Sequence, residues 1–286
     1  MIHKTAIIDA KAVLGANVSI GAYAIIEAGV HLSDYVTVLP YAHIKNDTVI
    51  GERTLIGTGA VIGEAPQIVG FKDTCGPVRI GKNNTIREYV TIHAASAPDK
   101  ITTLGDNNYL MGFSHIAHDC HLHSGVVVCN GSLIAGHVEI QDNAFVSGNV
   151  VVHQFVRIGR LAMIGGLSRV NQDIPPFMMV VGDSRVWGLN LVGLKRQGFK
   201  TREISEIKKA FNILYRKNLS LASAAEQLKE IESVPVAEIA SFIAFSKRGI
   251  SGPHKSTFWE KIFLDYPYFI RTKIPTYGML PKRRSE

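Results

Sequence analysis

Leu14-Gly15-Ala16-Asn17-Val18-Ser19-Ile20-Gly21-Ala22-Tyr23-Ala24-Ile25-Ile26 carries an aliphatic residue every six positions, and most of the first two thirds of the chain keeps that phase. Eleven hexads run from Ile2 through Ile8, Leu14 and Ile20 to Ile56 and Ile62. Three return at Ile80, Ile86 and Ile92, and twelve more run from Leu104, Leu110 and Ile116 to Ile158, Ile164 and Val170. Glycine often follows the aliphatic (Gly15, Gly21, Gly51, Gly57, Gly105, Gly159), and the fifth position is small or β-branched (Ala12, Val18, Ala24, Thr54, Ala60). A period of six fits neither an α-helix nor an amphipathic strand; it is the period of a parallel β-helix. Three hexads close one triangular coil of eighteen residues, whose first positions point inward. One coil cannot bury its aliphatic face alone, so stability comes from stacking. At roughly 4.8 Å between parallel strands, twenty-six hexads make about nine coils, a rod on the order of 40 Å long.

The chain has two regimes. A mainly β prism is expected over 1–183, ended by Pro175-Pro176, which remove ladder donors. A helical C-terminal domain is expected over 184–250. Thr201 can cap Ile204, Ile207, Phe211 and Leu214, and Ser220 can cap Leu221, Ala224, Leu228 and Ile231. A third helix spans Val236, Ile239, Phe242 and Ile243. Residues 251–286 form a basic, aromatic extension without a period. Two interruptions of the hexads, 68–79 and 98–103, read as loops extruded from the prism, where function tends to sit.

Composition narrows the class. No apolar run has transmembrane length, and Met1-Ile2-His3-Lys4 enters the repeat without a secretory leader. Three cysteines (Cys75, Cys120, Cys129), none in a C-x-x-C pair, point away from a disulfide framework and toward a reducing cytoplasm. The net charge of +7 suits a solvated basic surface or acidic partners such as a nucleotide diphosphate or an acidic carrier protein. No nucleic-acid-binding motif is present.

Seven of the eleven histidines fall between His93 and His153. Residues eighteen apart share a wall, so hexads 116, 134 and 152 stack; with 98–103 looped out, hexad 92 lies one coil below 116. His93, His118, His137 and His153 are therefore expected on one wall, near a corner where side chains reach a groove. His121 and His123 fall out of this alignment and read as structural or solvent-facing. Asp119 beside His118 can fix the imidazole tautomer and stabilise its protonated form, as a general base requires. Gly136, next to His137, offers a bare backbone N–H to a developing oxyanion.

The strings His115-Ile-Ala-His118-Asp119-Cys120, Leu-Ile-Ala-Gly136-His137-Val, Val-His153-Gln154-Phe and Ile-Arg87-Glu88-Tyr-Val-Thr-Ile-His93 carry a specific resemblance, together with Gly-Leu-Asn190-Leu-Val-Gly-Leu-Lys195-Arg196-Gln-Gly-Phe. Over residues 1 to about 250 the chain resembles the UDP-N-acetylglucosamine O-acyltransferases of lipid A biosynthesis. The resemblance implies a left-handed β-helix, a homotrimer with sites between prisms, no cofactor or metal, and a 3-hydroxyacyl donor on acyl carrier protein. It implies His118 as base, Asp119 as its orienting partner and the Gly136 amide as oxyanion donor. Lys72, His93, His115, His137, His153 and Gln154 would contact substrates, Asn190 and Arg196 would approach the uridine diphosphate, and Gly166 would leave room for a long acyl chain.

The chain departs from that pattern. The stretch Gln67-Ile-Val-Gly-Phe-Lys72 lacks the family's acid and is two residues longer, Val192 and Gln197 replace charged residues, and the stretch before Asn190 is one residue shorter. N-acylation of a UDP-3-amino sugar at the same site thus stays open. So does a γ-carbonic-anhydrase-like zinc enzyme using His118, His123 and His93, and so does a purely scaffolding β-helix. After Ile250, seven cations against three anions, with Trp259, Tyr266, Tyr268 and Phe269 interleaved, suit contact with a membrane surface or carrier protein, or a packing extension.

Overall fold

The computed structural model describes residues 1–254 except 46 and 73. Twenty-five short strands, from Ile7–Ile8 to Arg169–Val170, wind into three parallel walls. The first wall has nine strands and the second eight; the third has eleven, including strands from the region after the coils. Partners along a wall are eighteen residues apart, as Ile116↔Ile134 and Ile134↔Val152 show. Every predicted inward aliphatic from Ile20 to Val170 is at most 3 % exposed. The small fifth positions Ala24, Val30, Ala42 and Ala60 are fully buried beside them. The fourth position turns each corner with φ near +55 to +60, at Asn17, Tyr23, Tyr35, Asn83, Asp119 and His137 among others. Asparagine tolerates that region; for tyrosine or histidine it is sustained only because the coils above and below hold the turn.

The insertions are absorbed without loss of register. Ile62 pairs with Ile92, thirty residues on, and Ile92 with Ile116, twenty-four on. The extruded segments lie slightly before the expected ones, at 65–77 and 94–101, because Val78–Ile80 and Thr102–Leu104 already belong to the ladder. Val78 and Thr102 are fully buried, which draws these residues into the wall.

Pro175-Pro176 do not end the prism. Met178–Val181 rejoins the third wall, pairing Ile164 with Val180 sixteen residues on instead of eighteen. Two residues drop out between Val170 and Ile174, so Ile174 and Val180 become the inward positions, both fully buried. Arg185–Leu189 then returns antiparallel on Met178–Val181, and Gly252–Pro253 pairs with it. The third wall thus continues past the expected boundary at 183.

Among the described residues four helices follow: α1 Leu191–Arg196, α2 Thr201–Tyr215, α3 Leu221–Lys229 and α4 Val234–Ala244. α1 was not foreseen. Ser220 caps α3 by accepting from the Ser223 N–H. Thr201 is the first helical residue of α2 and not its cap; the Lys200 N–H before it donates to the Glu203 carboxylate at 2.7 Å. Arg160 and Glu238 join the last full coil to α4 through contacts of 2.6–3.1 Å. Met1–Pro253 is one compact unit. The cations and aromatics of the extension, from Lys255 onward, lie outside the described residues. Among the described residues no helix is long and apolar enough to cross a membrane.

Candidate active site on the first wall

The nine-stranded wall assembles the histidines by register alone. Thr91–His93, His115–Ile116, Leu133–Ile134 and Val151–Val152 are successive strands. Ile92, Ile116 and Ile134 face the core, so the residues flanking them face out or turn the corner. His118 sits at the third position of its hexad, and Asp119 and His137 occupy fourth positions with φ +58 and +61.

His118 Nδ1 and Asp119 Oδ2 are 2.6 Å apart, and both residues are buried. The carboxylate is itself held, Oδ1 accepting from the Ser96 N–H at 3.1 Å, and the backbone is pinned separately, the Asp119 N–H donating to Thr102 Oγ1 at 2.8 Å. Burial pushes the Asp119 carboxyl up, but the bonds from His118 and Ser96 outweigh it and hold the group below the usual carboxylate range. Asp119 is therefore anionic, and with Nδ1–H turned to it, Nε2 of His118 carries the lone pair.

His137 meets His118 edge-on at 5.1 Å and stacks on Phe155 at 4.5 Å. Its Nε2 lies 3.5 Å from Asp119 Oδ2. Burial lowers its proton affinity more than the Asp119 charge raises it. On the other side, His93 meets His115 edge-on at 4.8 Å, and His115 Nδ1 pairs with Thr91 Oγ1 at 2.7 Å. Burial, reinforced by His115, pulls His93 down to about 4, so its ring is neutral at physiological pH. His93 is buried rather than groove-facing, and its Nδ1 has no hydrogen-bond partner among the described residues.

Gly136 answers to the His118 ring. A Cβ built there would stand 2.6 Å from Cε1 and Nε2, so a side chain would evict the imidazole. Its N–H has no hydrogen-bond partner among the described residues. The equivalent amides of Ala16, Lys82 and Ser124 are capped by aspartates of the next coil. Gly136 thus presents an unspent donor beside the His118 ring.

The other expected residues lie elsewhere in the chain. His153 and Gln154 are exposed, and His153 opens on a separate polar cavity with Asn171, Asp183, Arg185 and Arg248. Lys72 is exposed in the 65–77 loop, and Arg196 is exposed at the end of α1. Asn190 is buried and capped into the structure: its amide donates to the Leu161 carbonyl and its oxygen accepts from the Gly193 N–H, both at 2.9 Å. Gly166 follows a strand of the third wall, where a methyl would meet only the Gly148 carbonyl at 3.4 Å and Ser147 at 4.0 Å. α1 touches the corner after the second wall, Gln197 reaching Asn143 at 3.4 Å. The expected site residues therefore occupy three corners of one prism, and a single chain brings together only His93, His115, His118, Asp119, Gly136 and His137.

Thr91, Ser96, Thr102 and Phe155 went unnoticed in the sequence. Phe155 stands eighteen residues after His137 and Thr91 pairs in register with His115, so both were computable. Nothing in the sequence marks Ser96, whose amide reaches Asp119 only through the path of the 94–101 loop. His121 and His123 lie on the eight-stranded wall, beside Thr103 at 2.9 Å and Glu139 at 3.7 Å. A zinc set of His93, His118 and His123 is thus divided between two walls of the chain. The donor atoms that do converge, within 4.8 Å of one another, belong to His118, Asp119 and His137.

Comparison with known proteins identifies the fold and the family. Residues 173–251 match the family description Udp N-acetylglucosamine O-acyltransferase, Domain 2, and residues 101–136 match Bacterial transferase hexapeptide (six repeats). Residues 1–75 match the GMPPB C-terminal domain. An acyl-(acyl-carrier-protein)–UDP-N-acetylglucosamine O-acyltransferase of Thermodesulfovibrio yellowstonii is 46% identical over 87% of this chain and 98% of its own length. One of Gloeothece citriformis is 48% identical over 67% of this chain and 70% of its own. The crystal structure of a UDP-N-acetylglucosamine acyltransferase from Bacteroides fragilis superposes with TM-score 0.85 at 37% identity, covering 87% of this chain and 99% of that one. An Arabidopsis UDP-N-acetylglucosamine acyltransferase superposes at 0.79 with 35% identity over 88% and 100% of the two chains. A prism of hexapeptide coils, a buried His118–Asp119 pair facing a bare glycine, and these likenesses along nearly its whole described length make this chain a left-handed parallel β-helix of the UDP-N-acetylglucosamine O-acyltransferase family.

Proposed function

We propose that this chain transfers a 3-hydroxyacyl group from acyl carrier protein to the 3-hydroxyl of UDP-N-acetylglucosamine, with His118 as general base. The observation that carries the reading is the 2.6 Å His118–Asp119 contact set against Gly136, whose amide is unspent. Asp119 holds Nδ1–H, so Nε2 takes the proton as the sugar oxygen attacks the thioester carbonyl. The tetrahedral oxyanion accepts from the Gly136 N–H. Its collapse breaks the carbon–sulfur bond, and the imidazolium returns its proton to the carrier's thiolate. General-base catalysis of this kind contributes about 10²–10⁴-fold, and an oxyanion donor about 10²–10³-fold.

The functional unit is a homotrimer in this reading. Gly166, the Asn190–Arg196 segment and the histidines sit on three different corners, so no one chain offers them to a single substrate; a neighbouring copy's corner completes the site. His137, Lys72, His153 and Gln154 contact substrates from that groove. Three free cysteines, one of them buried, suit a reducing cytoplasm, where we place the enzyme.

The test is to incubate the pure chain with 3-hydroxyacyl carrier proteins and UDP-N-acetylglucosamine, and in parallel with its 3-amino analogue, and to identify the product by mass spectrometry. O-acylated sugar nucleotide is the expected product. Acylation of the amino analogue alone would move the acceptor to an amino sugar, and no product from either would sink the reading.

A further inference from the structure

The wall changes character at the level of His118. The outward column before each core aliphatic runs His43, Val61, Thr91, His115 and then Leu133 and Val151, each 46% exposed. The column after the aliphatics runs Glu27, Lys45, Glu64 and His93, then Ala117 and Ala135. Below His118 the column after the aliphatics is polar (Glu27, Lys45, Glu64, His93), and just above it Leu133, Val151 and Phe155 make an apolar patch before the wall turns polar again at His153 and Arg169. A polar acceptor fits the first stretch and an acyl chain the second.

Within the polar stretch one feature is built with care. Lys45 Nζ reaches both oxygens of Glu64, at 2.9 and 3.0 Å. A β-bulge between Ile62 and Glu64 places Glu64, not Gly63, opposite His93. The bulge turns on Gly63, with φ +85 and with Thr48 Oγ1 only 2.7 Å from where a Cβ would stand. Bulges of this kind re-aim side chains beside active sites. Glu64 also roots the 65–77 loop, whose far end bridges back through the Gly76 N–H to the Ala95 carbonyl at 2.9 Å. Its charge acts on both His93 and Cys75.

Among the described residues, the hydrogen-bond capacity of the pair is not exhausted. The Glu64 carboxylate accepts two contacts from Lys45 and one from the Ala65 N–H, out of about four acceptor sites. Lys45 spends two of its three donors. The side chains are 43% and 26% exposed, respectively. Together they offer one acceptor and one donor side by side, which is what a sugar hydroxyl, itself both, requires.

We propose that the Lys45–Glu64 pair is a specificity-determining element of the acceptor site, binding the sugar's C4 or C6 hydroxyl while C3 reacts at His118. This rests on the acceptor being a UDP-hexosamine. Steady-state kinetics with the full chain, acyl carrier protein donor, UDP-N-acetylglucosamine and its 4-deoxy and 6-deoxy analogues tests it. Glu64→Gln is expected to raise the acceptor KM on the order of tenfold, the value of one hydrogen bond to a charged group. The kcat and the donor KM should move by less than about twofold by the same argument, since neither depends on that bond. Lys45→Met should shift the acceptor KM in the same direction. One deoxy analogue should bind worse than the natural acceptor to wild type but no worse to Glu64→Gln. If Glu64→Gln does not fold, Glu64→Asp withdraws the carboxylate by one methylene and is read the same way. An unchanged acceptor KM, or a fall in kcat alone, overturns the pair's role. Failure of wild type to acylate the sugar at all removes the parent reading and this one with it.

Discussion

His115 and His118 lie on the first wall; His121 and His123, one hexad later in the same stretch, lie on the second. The residue types match, the strands are equally short, and His115 and His121 each pair with a threonine hydroxyl, yet burial and the nearby carboxylate differ sharply between the two pairs. His118 is buried against a carboxylate anchored by the Ser96 N–H, on a residue whose backbone N–H donates to Thr102, and His115 is half-buried and bonded to a threonine. His121 is exposed beside Thr103, and His123 faces Glu139 at 3.7 Å across solvent-accessible side chains. Glu139 is itself bonded to Arg157 at 2.9 Å. One third of a coil separates a reactive microenvironment from an ordinary polar surface. What sets His118 apart from the second wall's histidines is burial, an anchored anion and the adjoining loop.

The largest break in this contrast comes from His118→Ala, expected to lower kcat by about 10²–10⁴-fold in a chain that still folds but melts lower, because the buried Asp119 carboxylate loses a partner, checked by steady-state turnover and thermal melting. Gly136→Ala should approach that loss by evicting the same ring, since its added methyl stands 2.6 Å from Nε2. Retained turnover in both variants would falsify the base assignment.

A middle-sized effect concerns pH. His93 is held at about 4 in the fold against 6.5 unfolded. The unfolded chain therefore binds more protons in between, so stability is full above about 6.5 and is lost as pH falls toward 4. Melting measured across pH 7 to 4 should drop less steeply for His93→Gln than for wild type. Parallel slopes would mean that His93 is already protonated in the fold.

The smallest effect belongs to the second wall. His123→Ala should change stability by less than about 0.5 kcal/mol, as exposed substitutions do, and turnover by less than about twofold by the same argument. A large loss of turnover there would mean that the second wall also reaches substrate, and the contrast between the walls would fail.

Much of this was legible before any coordinates. The hexads placed Ile92, Ile116, Ile134 and Val152 in one column because a closed eighteen-residue coil makes position a matter of arithmetic. The same arithmetic separated His121 and His123 from the cluster. It failed where local geometry departs from the period. The coil that loses two residues before Ile174 hid the continuation of the third wall past the two prolines. The motif that names Asn190 does not record its bonds within the chain; in the fold it caps α1 and braces Leu161.

By itself, then, the sequence determined the prism, the wall on which the histidines gather, and the pairing of His118 with Asp119 by adjacency. Only the tertiary structure decided that the Ser96 amide holds that carboxylate while the Thr102 hydroxyl holds the Asp119 backbone, that Gly136 clears space for the ring, and that a bulge at Gly63 brings Glu64 opposite His93. The physical reason is one of range. A repeat encodes the backbone through local sterics and the burial of every sixth side chain. The path of an extruded loop and the aim of a polar side chain depend on contacts among segments far apart in sequence, and no period records them.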